Sequence, residues 1–116
     1  MIRFFSGLTA LSLAAPAAAQ PLSFEGRWAQ QSAWCTSLPS GRPAPVVLTR
    51  QSLASPAMTC DFTSVKPGGV MWRVEADCVV TETKERGSDF FGFTVLEGLL
   101  HWSWGDRTVT FHRCPD

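Results

Sequence analysis

His101 and Ser103 stand two residues apart, and His112 is the only other histidine of the chain. At that spacing a hydroxyl and an imidazole share one face of an extended strand, the least that a nucleophile and its base require. Such a pair also needs contact at about 2.6–3.2 Å, a third group to orient the base, and donors for an oxyanion. No G-x-S-x-G turn surrounds Ser103. His101 and His112 make half a zinc site, and no third ligand stands at metal-site spacing. Glu82, Glu85 and Asp89 lie in a polar, charged stretch that reads as a solvated loop, not as the paired carboxylates of glycoside chemistry. The expectation is a non-enzymatic domain with no catalytic residue, no metal and no cofactor.

The cysteines carry a clearer message. Cys35, Cys60, Cys78 and Cys114 are an even set without any C-x-x-C pair, so they read as two disulfides and not as a redox or zinc motif. Four cysteines allow three pairings. The choice between them depends on the strands that hold them.

Those strands show as alternation. Val70, Trp72, Val74, Ala76, Cys78 and Val80 fall on one face, with Met71, Arg73, Glu75 and Asp77 on the other. Met58, Cys60 and Phe62 form the apolar face of a preceding strand, and Lys66-Pro67-Gly68-Gly69 supplies the turn. Folding this hairpin about Gly69 sets Cys60 opposite Cys78, within the reach of a cross-strand bridge. The remaining bridge is then Cys35 to Cys114. Further along, Glu97-Gly98 and Gly105-Asp106 suit two tight hairpins. In that register Phe93 opposes Trp102, Phe91 opposes Trp104, Trp102 opposes Val109 and Leu100 opposes Phe111, all on the apolar face. His101 opposes Thr110 and His112 opposes Leu99 on the wet face. Phe24 to Gln30 and Val46 to Arg50 read as further short strands, and Gln51 to Leu53 either continues the second of these or begins another. The fold expected is all-β: a small antiparallel meander closed, or nearly closed, into a seven- to eight-stranded barrel, with a two-sheet sandwich as the alternative.

The start of the chain stands apart. Arg3 precedes an apolar run from Phe4 to Ala15, followed by Pro16 and Ala17-Ala18-Ala19. That is the pattern of a signal peptide over residues 1–19, and the run is too short to cross a membrane as a helix. Residues 20–116 are then a single disulfide-stapled β domain, periplasmic or secreted. It has nine basic residues against ten acidic ones, a formal charge of −1. This balance lacks the basic footprint of a nucleic-acid binder and the basic amphipathic face of a membrane-surface protein.

Gly26-Arg27-Trp28 in the first strand and Arg113 at the end of the last resemble the calycin barrels, the group of lipocalins, avidins and small metalloprotease inhibitors. The resemblance implies that Arg113 packs over Trp28 and closes one end of a barrel. The layout of the four cysteines with an Arg-Cys-Pro ending also looks like a group of small exported bacterial β-proteins, a likeness that brings no activity with it. Beside Cys35, outside the alternating strands, Trp34 begins a loop with Leu38, Pro39 and Arg42. A disulfide and proline brace this loop, and aromatic and arginine side chains are the usual energetic centres of protein contacts. It is the expected contact surface. The function expected is an exported binding module for another exported or envelope protein, such as an inhibitor of a protease or cell-wall hydrolase. The alternative is a small apolar-ligand carrier of calycin type.

Overall fold

The computed structural model describes residues 22–36 and 43–115. The expected signal over residues 1–19, and Leu38, Pro39 and Arg42 of the expected contact loop, lie outside the described residues. Eight strands follow in chain order: β1 (Gly26–Ala29), β2 (Val46–Leu48), β3 (Ser52–Ala54), β4 (Met58–Gly68), β5 (Met71–Val80), β6 (Arg86–Leu96), β7 (Leu99–Trp104) and β8 (Arg107–Arg113). Each pairs antiparallel with the next, and β8 returns to β1, so the meander closes into a barrel. Closure decides against the two-sheet sandwich. It also leaves no unpaired strand at the seam, which an open sheet of this length would expose.

Alternation explains the interior. Trp28, Leu48, Leu53, Val74, Phe93 and Leu100 point inward and are almost fully buried. Their rings and methyl groups fill the barrel, which is too narrow at eight strands to stay hollow once aromatic side chains line it. Phe91 and Trp102 meet edge to face at 5.2 Å, and Trp102 stacks on Phe111 at 5.5 Å. Such ring pairs add about 0.5–1.5 kcal/mol each beyond the area they bury.

Both disulfides form, Cys60–Cys78 and Cys35–Cys114. The first is a directly opposed pair on β4 and β5, inside the barrel. The second lies outside it. After β1 the chain turns into a 3-10 helix, Ser32–Thr36, which folds back over the outer face of β1. There Ala29, Cys35 and Cys114 make a second, smaller cluster with Trp34 packed against it. Arg27 pins this layer, donating from Nη2 to the Cys35 carbonyl at 2.8 Å and from Nη1 to the Pro115 carbonyl at 3.1 Å. By loop-closure entropy, bridges spanning 18 and 79 residues contribute about 3 and 4.5 kcal/mol.

Three details depart from the sequence expectations. The β4–β5 turn is Gly69-Val70, not Lys66 to Gly69, and both strands run to their tips at Gly68 and Met71. Pro67 is tolerated there because this part of β4 pairs with β5 alone. Val70 consequently stands at the tip, 78% exposed, not on the apolar face. The opposed cysteines survive this shift because a bulge between Phe62 and Ser64 absorbs one residue. Phe24 is not in a strand: β1 starts at Gly26, and Phe24 sits in a turn that plugs the barrel. Phe91 and Trp104 meet edge to face at 5.8 Å, but the β6–β7 register ends at Gly92 and Ser103 before reaching them.

Candidate functional site

The two ends of the barrel differ. At the end where β1 begins, Phe24 is fully buried against Phe62, Trp72 and Phe93. The Trp28 indole N–H donates to the Phe24 carbonyl at 2.8 Å, and the Trp72 indole N–H donates to Ser23 Oγ at 3.2 Å. The Arg113 guanidinium lies over the Trp28 ring, 4.2 Å from its centroid. A planar cation on an indole face, with its N–H groups donating to backbone carbonyls, gives this end a stiff cover.

At the opposite end β1 and β7 finish and β2 and β8 begin, and here the barrel opens. A cavity of about 280 Å³ is lined by Gln30, Trp34, Ala44, Val46, Trp102, Trp104, Arg107, Val109 and Phe111. The strands place these side chains by parity. Trp102 and Trp104 are successive inward positions of β7, Val109 and Arg107 are their partners on β8, and Phe111 is the next inward position along β8, opposite Leu100. The 3-10 helix adds Trp34 from the rim, and the Cys35–Cys114 bridge holds that helix to the barrel wall. Depth grades exposure: Trp102 is 7% exposed, whereas Trp104, nearer the mouth, is 47% exposed and parallel to it at 6.2 Å.

Two polar features stand among these apolar walls. Arg107 opposes Trp104 across the β7–β8 turn, and among the described residues its guanidinium makes no hydrogen bond or ion pair. The Trp102 indole nitrogen is buried and has no hydrogen-bond partner among the described residues. A buried donor without an acceptor costs about 1–3 kcal/mol, so few are kept.

A second depression, of about 390 Å³, lies on the outer wall over β4, β5 and β6, with Thr59, Asp61, Asp77, Arg86 and Ser88 among its lining. It is the larger of the two, but its walls are mostly exposed polar side chains, and Asp61 directly opposes Asp77. The mouth is the better site, because apolar walls with a few converging polar groups are what binding pockets share.

The residues with catalytic potential do not converge. The Ser103 hydroxyl pairs with Thr108 Oγ1 at 3.2 Å, and His101 Nδ1 pairs with Thr110 Oγ1 at 3.2 Å. His112 opposes Leu99, as the register implied. Glu82 and Glu85 are exposed in the turn between β5 and β6, and Asp89 is on β6. Among the described residues no three His, Cys, Asp or Glu side chains gather where a metal ion would bind.

Trp34 of the expected contact surface does line the mouth, half-buried. Trp102, Trp104 and Arg107 join it there. Alternation puts both tryptophans on the core face: Trp102 is indeed core, whereas Trp104 is half exposed at the rim, and nothing in the alternation singles out Arg107. The available signal was positional: an inward tryptophan at the last residue of a strand sits at a barrel rim, and the residue across a tight turn shares that rim.

Two disulfides fit an oxidising compartment. Among the described residues no helix is long and apolar enough to cross a membrane. Comparison of the chain with protein-family models, with curated proteins and with solved structures found no match.

Proposed function

We propose that the chain is an exported, non-enzymatic binding module that engages another exported or envelope protein through its open mouth, as an inhibitor of a protease or cell-wall hydrolase does. One observation carries the reading: four aromatic rings and an arginine with no ion pair among the described residues converge on a cavity at the rim of an otherwise filled and stapled barrel. Tryptophan and arginine are the residue types that dominate binding energy in protein interfaces. A rigid frame lowers the ordering cost of binding, and the disulfide beside Trp34 supplies that rigidity.

Crosslinking tests the reading. A photoreactive side chain at Asp106, in the rim turn, is exposed to envelope and culture-fluid proteins of the organism that makes the chain. A matched probe at Phe90, 70% exposed on the outer wall of β6, is the control. A discrete adduct at Asp106, lost in Trp104→Ala and absent at Phe90, supports the reading. Adducts no stronger at Asp106 than at Phe90 would falsify it.

A carrier of small apolar ligands is the second reading, favoured by the apolar lining of the cavity and not by its size. Its volume, about 280 Å³, falls just below the range of about 300–1,000 Å³ usual for small-molecule sites. The filled interior confines any such ligand to the mouth.

A further inference from the structure

We infer that the mouth selects an aromatic ring that carries a carboxylate, either as a free small acid or as the terminal residue of a polypeptide. The inference rests on the mouth being the binding site, as proposed above, and adds the chemistry of what enters it.

Shape argues for the ring. Trp102 and Trp104 lie near-parallel, with 17° between their planes, and Phe111 is inclined to Trp102 by 30°. Trp104, 47% exposed, extends this stack of rings toward the mouth, where a flat guest can continue it, and offset stacking is the favoured arrangement of aromatic pairs. A volume of about 280 Å³ suits one ring system and excludes long acyl chains.

Charge argues for the carboxylate. Arg107 is exposed at the rim and has no ion-pair partner among the described residues, although Asp106 is its neighbour in the turn. A guanidinium presents a planar fork of donors that matches a carboxylate with two parallel hydrogen bonds. Deeper in, the Trp102 indole N–H lacks an acceptor among the described residues. Because Trp102 lines the cavity, a guest oxygen there would be its first acceptor. A neutral hydrocarbon would offer no acceptor to the Trp102 indole and no anion to Arg107.

The test uses the disulfide-bonded protein, labelled with ¹⁵N, and four probes. These are 3-(indol-3-yl)propanoate, its primary amide, a hexapeptide ending in tryptophan with a free carboxylate, and the same peptide amidated. The readouts are the dissociation constant and the indole N–H resonances, with that of Trp102 assigned through Trp102→Phe. A free-carboxylate probe is expected to bind at least tenfold tighter than its amide and to shift the Trp102 and Trp104 indole signals saturably. Arg107→Gln should abolish that preference while the weak binding of the amide persists. Arg107 is exposed beside a turn, so the variant should keep the parent near-ultraviolet dichroism. Binding of the small acid identifies a free metabolite as the source, and binding of the peptide alone identifies a polypeptide terminus; either supports the inference. Equal affinity for acid and amide, a preference that survives Arg107→Gln, or no binding by any probe overturns it. In that event a rim crosslink lost in Trp104→Ala would still leave the binding-module reading standing, so the two can fail separately.

Discussion

The Arg113 guanidinium stacks on the Trp28 indole 4.2 Å from its centroid and donates from its two terminal nitrogens to the carbonyls of Glu25 and Ser23, at 3.0 and 2.9 Å. One side chain thus joins the last strand, the first strand and the turn that carries Phe24. Arg113→Ala should lower unfolding free energy by about 2 kcal/mol, the sum of an exposed cation–π contact and hydrogen bonds to a charged donor. Urea unfolding followed by tryptophan fluorescence reads this. Arg113→Lys should recover less than half of the loss, because an ammonium cannot stack and fork at once.

Gly26 makes room for that arginine. Its φ is +142°, and a Cβ there would lie 2.7 Å from Arg113 Nη1. Gly26→Ala combines backbone strain with displacement of the guanidinium and should cost about 2 kcal/mol. In the double variant with Arg113→Ala the clash is gone and only the strain remains, so the two losses should be less than additive. Full additivity in thermal or urea unfolding would show that the contact does not matter.

Gly92 is a second close approach. A Cβ at this position would meet Met71 Sδ at 2.6 Å, with backbone geometry that any residue can adopt. Methionine is flexible and can move aside, so Gly92→Ala should cost only about 1 kcal/mol. Met71→Ala should remove most of that penalty in the double-mutant cycle.

The bulge and the shifted turn make opposite forecasts for two valines four residues apart. Val70 is at the hairpin tip and 78% exposed, whereas Val74 is 1% exposed in the core. Val70→Lys should change stability by less than about 0.5 kcal/mol, whereas Val74→Ala should cost about 2 kcal/mol. A large effect of the Val70 substitution on the urea midpoint would restore the turn expected from Lys66 to Gly69.

Trp104 should separate binding from folding. Its ring is half exposed at the mouth, so Trp104→Ala removes less buried surface than Trp102→Ala. We expect a loss of about 1 kcal/mol for the first and about 3–5 kcal/mol for the second in chemical unfolding.

Much of this barrel was legible in the order of its residues. Alternation from Trp72 to Cys78 and from Leu99 to Phe111 set which side chains face inward, because pleating reverses the side at every residue. Glycine-containing pairs at Glu97-Gly98 and Gly105-Asp106 set the register of β6, β7 and β8, since a two-residue turn leaves one way for the strands to meet. Those local rules also set Cys60 against Cys78, but about the wrong turn, and it is the bulge that keeps the pair opposed. They did not reveal the bulge at Thr63, the plug made by Phe24 or the 3-10 helix that carries Trp34 back over β1, because each answers to neighbours far along the chain. The mouth belongs to that second kind. Alternation marks Trp102, Trp104, Val109 and Phe111 as inward, but only closure of β8 onto β1 brings Gln30, Trp34 and Val46 around to face them. Parity is a property of each strand, whereas a rim exists only once the sheet has curved back on itself.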